Sequence, residues 1–207
     1  MIYDITPPIS EKLKVWPGDT PPAREVLCDM KDGANITLST LHATVHLGAH
    51  ADGPNHYGAD ARSIDQQPLE LYVGRCQVIG VNVPRGTRIT PELVEGNIDA
   101  PRVLLRTDTF LDPHQWQEDF AAIAPELVDF LAGQGVKLVG IDAPSVDLFA
   151  SQDLPAHKAF LKHDLAILEG LLLHDVPDGI YELIALPLKL VGFDGSPVRA
   201  ILRDIQH

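Results

Sequence analysis

Between positions 46 and 56 the chain reads His46-Leu-Gly-Ala-His50-Ala-Asp52-Gly-Pro-Asn-His56. Three of its 9 histidines and a carboxylate thus fall within one short stretch. Neutral imidazoles with a carboxylate form the donor set that suits zinc and neighbouring divalent metals, and the lack of thiolate argues against a purely structural cysteine site. His46 and His50 are four apart, as two ligands stacked on a helix would be. Gly48 between them and Gly53-Pro54 just after them speak against a helix. The stretch reads instead as a strand ending near Leu47 that runs into a glycine-rich loop, whose close turns bring His46, His50 and Asp52 round one point. His56 lies beyond the Gly53-Pro54 turn. From there it could complete the coordination, or act as a proton-transfer group beside the metal.

A catalytic zinc keeps one position open for water, and a two-metal site needs further ligands, often including a bridging carboxylate. The downstream candidates are His157, His163, Asp164, Glu169, His174 and Asp175. Glu169 is conspicuous because it interrupts the apolar run from Ala166 to Leu173, where a carboxylate must be paired or bound to something. Spacing does not choose among the histidines. His42 reads as a packed strand histidine or as a brace for a ligand, while His114, His163, His174 and His207 carry no further argument and read as surface or structural. Asp142, Ser145 and Asp147 offer serine-hydrolase residue types, but no Gly-x-Ser-x-Gly elbow accompanies them. Gly133-Gln-Gly135 and the glycines from 192 to 195 lack full phosphate-loop or dinucleotide patterns and read as turn glycines. Trp16 either buttresses the Pro17-Gly18 turn or lines a pocket.

The elements that must position these residues are those of a mixed α/β domain. Alternation is clearest from Leu41 to Leu47, with Leu41, Ala43, Val45 and Leu47 on one side and His42, Thr44 and His46 on the other. Further strands are predicted at 2–5, 77–83, 102–107, 137–141, 181–191 and 198–205, with Pro187 marking an edge or bulge. A helix is predicted over 125–134, opened by Pro125 and ended by Gly133 and Gly135. A shorter one starts at Thr90-Pro91-Glu92.

A chain of 207 residues with 45% hydrophobic content can bury one substantial core, and is read as a single domain over 1–207. The 17 prolines punctuate short segments without forming a linker. Neither a signal-peptide pattern nor an apolar run of membrane-spanning length is visible, so a soluble, cytoplasmic protein is expected. Cys28 and Cys76, far apart in sequence, fit reduced thiols. A net charge of −13 disfavours nucleic acid and anionic membrane as partners.

The motif His46-x-Gly-x-His50-x-Asp52-x-Pro-x-His56 resembles the signature of the metal-dependent cyclase family, and within it the bacterial kynurenine formamidases, or arylformamidases. The likeness extends over nearly the whole chain. It includes Trp16-Pro-Gly-Asp19, Gly140-Ile-Asp-Ala-Pro-Ser145-Val-Asp147, Ala156-His157, Leu168-Glu169-Gly170 and Asp194-Gly195-Ser-Pro197-Val-Arg199. The resemblance implies two divalent metals, zinc foremost, with manganese or cadmium compatible. His46, His50 and Asp52 would bind one metal, Asp52 would bridge to a second held by His157, and Glu169 would contact the metal pair. It further implies that His56 is the proton donor and acceptor and that Trp16 lines an aryl pocket.

The implied reaction, in tryptophan degradation, is hydrolysis of N-formyl-L-kynurenine to L-kynurenine and formate by metal-activated water. The implied fold is a compact mixed β-sheet with flanking helices, of swivelling β/β/α type, in a homodimer. Ala49 stands where the family usually has Thr, removing a hydroxyl that could have braced a ligand but no ligand itself. Competing readings are a sister hydrolase acting on isatin or another cyclic amide, and a non-catalytic zinc-binding module.

Overall fold

The computed structural model describes residues 1–205. In chain order the strands are β1 (Ile2–Asp4), β2 (Ala23–Cys28), β3 (Leu38–His42), β4 (His50–Asp52), β5 (Val73–Gly80), β6 (Arg88–Ile89), β7 (Arg102–Arg106), β8 (Ala122–Ile123), β9 (Leu138–Ile141), β10 (Ala166–Glu169), β11 (Gly179–Ile184), β12 (Gly195–Pro197) and β13 (Ile201–Asp204). Helix α1 (Pro125–Gly133) precedes β9, and α2 (Pro155–His163) links β9 to β10. This is the mixed α/β architecture read from the sequence.

A nine-stranded mixed sheet in the order β1-β13-β11-β5-β7-β9-β10-β4-β12 forms the frame. At its centre β5, β7, β9 and β10 run parallel. Parallel strands need covered faces, and here β9 and β10 are buried along their whole length as near-continuous apolar runs. The two-residue alternation sends Val103, Leu105, Val139, Ile141 and Ile167 into one cluster with Leu127 of α1 and Phe160 of α2. Leu104, Leu138 and Leu168 enter the opposite cluster with Ile5, Leu183 and Leu202.

That second cluster is closed by the ends of the sheet itself. Leu172, after β10, donates its backbone N–H to Ile5, after β1, at 2.9 Å, and Val198 donates to Ala49 at 2.9 Å. The sheet therefore curls until its margins meet. Both helices open with proline in the first turn, where its missing N–H would have had no helical partner.

Several local expectations are corrected. The alternation at 41–47 makes no strand beyond His42, because β3 pairs only with β2 as a separate hairpin, and Leu41 on it is exposed. His50–Asp52, expected as loop, is a strand because β10 and β12 flank it and satisfy its backbone from both sides. Strand β11 stops at Ile184, so Pro187 lies beyond it, and β5 starts four residues before the predicted 77. The short helix expected at Thr90 is one 3-10 turn, Pro91–Leu93. Helix α2 and the hairpin strand β2 were not expected.

Leu104 is fully buried on the central strand β7. Leu104→Ala should cost about 2–5 kcal/mol. Thermal unfolding should show the midpoint lowered by roughly 2–4 °C per kcal/mol; an unchanged midpoint would contradict the closed inner cluster.

Candidate metal centre

Strand β4 sets the geometry of the site. Alternation puts His50 and Asp52 on one face, while Ala51 between them enters the core. Glu169, at the end of β10, stands directly opposite His50 in the antiparallel register. The two side chains share a face, with His50 Nε2 3.2 Å from Glu169 Oε2. His46 enters from the irregular segment before β4, and His157 from the first turn of α2. His46 Nδ1 and His50 Nε2 approach Asp52 Oδ1 at 3.1 and 3.5 Å, while His157 Nε2 approaches Asp52 Oδ2 at 3.5 Å and Glu169 Oε1 at 3.7 Å. His50, Asp52, His157 and Glu169 are each at most 4% exposed.

Neither oxygen of Asp52 receives a hydrogen bond, although both are buried. The reason lies in how the rings are tied. His50 Nδ1 meets the Gly48 carbonyl at 2.9 Å, His46 Nε2 meets Asp194 at 3.1 Å, and His157 Nδ1 meets Asp147 at 2.9 Å. Each outer nitrogen faces an acceptor and carries an N–H, so each inner nitrogen is turned on the carboxylates. Such a ring can meet a carboxylate only as an imidazolium or across a shared cation. Two orphaned carboxylate oxygens among three inward imidazole nitrogens fit a divalent metal. His46, His50 and Asp52 can place ligand atoms within 4.8 Å of one another, as can Asp52, His56 and His157.

Without a metal, protons take that place. Burial works to neutralise His46, but Asp52, Asp194 and Glu169 outweigh it and raise its pKa to about 9. His157 is likewise pushed down by burial, yet Asp147, Asp52 and Glu169 raise it to about 10. Burial acts to raise Asp52 in turn, while His157, His46 and His50 hold it well below the usual carboxylate range.

Glycine makes the convergence possible at one tight point. Gly170, at φ +65°, passes so close to the loop before β4 that a Cβ there would lie 2.2 Å from the Gly48 carbonyl oxygen, the atom that holds His50. His56 occupies the rim on a single 3-10 turn, Pro54–His56. Its ring is 4.2 Å from that of His46, its Nδ1 faces Asp194 Oδ2 at 3.5 Å, and 37% of its side chain is exposed.

A cavity of about 470 Å³ opens onto this cluster, with Trp16, Trp116 and Phe110 in its wall. The two tryptophans meet edge to face at 5.5 Å, and Phe110 packs on Trp116 at 5.8 Å.

The structure thus gathers His46, His50, Asp52, His157 and Glu169, sets His56 beside them and puts Trp16 in the wall. It leaves the other candidates elsewhere. His163 pairs with Asp129, His174 with Asp108 and Asp164 with Arg62. His42 pairs with Glu25 across the hairpin at 2.8 Å and does not brace the cluster, because β3 belongs to a separate two-stranded sheet. Ser145 accepts the backbone N–H of Asp147, and Asp142 holds the backbone of Thr107 and Asp108, so neither belongs to a serine relay among the described residues. Sequence reasoning missed the bracing carboxylates Asp147 and Asp194 and the wall residues Trp116 and Phe110. The only signal for Trp116 was its being one of 2 tryptophans.

The model of the Cyclase family, described as "Putative cyclase", matches residues 3–148. A solved structure described as a potential metal-dependent hydrolase with cyclase activity is 30% identical, covering 100% of this chain and 99% of its own at a TM-score of 0.87. A predicted metal-dependent hydrolase from Bacillus stearothermophilus is 31% identical over 98% of this chain and 97% of its own, TM-score 0.79. An isatin hydrolase bound to the product analogue thioisatinate shares the fold at TM-score 0.85 with 21% identity, over 97% and 91% of the two chains.

Two outcomes follow from this geometry. Zinc must displace the protons of His46 and His157, so uptake by the metal-free chain at pH 7 should release protons, and affinity should rise with pH towards 9. Calorimetry in buffers of different ionisation enthalpy reads this, and uptake without proton release would refute it. Gly170→Ala should cost about 2 kcal/mol or more, from the left-handed backbone alone upwards. A lowered thermal midpoint checks it.

Proposed function

The chain belongs to the cyclase family, and on that footing we propose that it is a metal-dependent hydrolase that converts N-formyl-L-kynurenine to L-kynurenine and formate. The observation that carries this reading is the aromatic cavity opening directly onto the inward-facing imidazoles and carboxylates. Its volume lies within the roughly 300–1,000 Å³ range of small-molecule sites.

His46, His50 and Asp52 would hold one metal, and Asp52, His157 and Glu169 a second. When bound, such metals supply an activated water at neutral pH, lowering its pKa from 15.7 to about 7, and an electrophile for the formyl oxygen. The chain's own residues do the rest. Trp16 and Trp116 stack the aryl ring and aim the formamide at the centre. His56 has its Nδ1 towards Asp194, which leaves Nε2 to take a proton from the attacking water and return it to the aryl nitrogen as the C–N bond breaks. Without that proton the leaving group would be a strongly basic anilide.

Turnover of N-formylkynurenine by the purified protein, abolished by EDTA and restored by zinc, tests the proposal. Hydrolysis of isatin in its place would reassign the substrate, and zinc binding without turnover of either would leave a metal-binding module. His56→Ala should keep its metal and lose roughly 10²- to 10⁴-fold in kcat. Metal content and rate measured on the same sample decide this, and wild-type turnover would remove His56 from the proton path.

A further inference from the structure

Asp147 lies outside the ligand set, yet it is 1% exposed and all of its bonds point towards it. Its Oδ2 accepts both the backbone N–H of His157, at 3.1 Å, and the ring Nδ1–H of the same residue, at 2.9 Å. Its Oδ1 accepts the backbone N–H of Ala156 at 3.2 Å and Arg88 Nη1 at 2.8 Å.

The residue before α2, Leu154, sits at φ 46° and caps nothing with its side chain. Asp147, eight residues before the helix begins, supplies the missing cap from the loop after β9. One carboxylate therefore fixes where α2 starts and which way its imidazole points. Arg88, on β6, holds that carboxylate from behind while its Nη1 also donates to the Ile123 carbonyl at 2.9 Å. The other two rings are tied independently, His50 by the Gly48 carbonyl and His46 by Asp194.

We propose that Asp147, anchored by Arg88, is the positioning residue of the second metal position, setting the affinity of the Asp52, His157 and Glu169 side without governing the His46, His50 and Asp52 side. The proposal rests on the two-metal reading above. A carboxylate on the outer nitrogen fixes the tautomer, makes the inner nitrogen more basic and stops the ring from turning; its loss commonly costs 10- to 100-fold in metal affinity. In Asp147→Asn an amide N–H would face one of four donors, so the cradle could not be completed.

The test is zinc titration of the metal-free full-length chain against a chromophoric chelator, with thermal unfolding in parallel. The wild-type chain should take up two equivalents. Asp147→Asn should bind the second about 10- to 100-fold more weakly and leave the first unchanged. Equal weakening of both equivalents, or of neither, overturns the proposal. Should Asp147→Asn fail to fold, Arg88→Met leaves both helix-capping bonds in place and should also weaken the second equivalent selectively; unchanged zinc affinity there overturns it too. A wild-type chain that takes up one equivalent only overturns the two-metal reading itself, and this inference with it.

Discussion

A carboxylate sealed from water with both oxygens unbonded is costly unless positive charge meets it, and Asp52 is in that condition. Three imidazoles and Glu169 surround it, none offering a well-directed hydrogen bond. Divalent metals can balance that arrangement, as can protons on His46 and His157, and the two compete for the same nitrogens. Much of the surrounding structure serves to hold this unresolved polarity in place.

The supports are of two kinds. Backbone geometry brings the groups close: β4 lies between β10 and β12, its register sets His50 against Glu169, and the bare Cα of Gly170 lets the Gly48 carbonyl sit behind the His50 ring. Side-chain carboxylates then fix ring orientation, with Asp194 behind His46 and Asp147 behind His157. Asp194 also faces His56, so the rim histidine and His46 lean on the same acid.

The location of the site follows from the topology. Strands β9 and β10 are parallel, and their carboxyl ends deliver the Asp142–Asp147 loop and Glu169 to one side of the sheet, as crevices outside strand carboxyl ends do in other α/β proteins. Because the sheet curls back on itself, the N-terminal segment bearing Trp16 and the loop bearing Trp116 close over that side and give its cavity an aromatic wall.

The dense stretch from His46 to His56 was legible in the sequence, since ligand chemistry depends on residue type and local density, and Glu169 betrayed itself as a charge in an apolar run. The central strands were legible for the same reason: burial on both faces demands continuous apolar segments. The fold of the ligand stretch itself was not. His50–Asp52 is a strand only because β10 and β12, more than 100 residues away in sequence, satisfy its backbone, while of the local alternation at 41–47 only Leu41 and His42 are in a strand, the end of a separate hairpin. Choosing His157 over His163 and His174, and finding Asp147 and Asp194 behind the rings, likewise required the tertiary structure. Hydrogen bonds between residues remote in sequence leave no periodicity or spacing to read; they exist only once the sheet has brought the segments together.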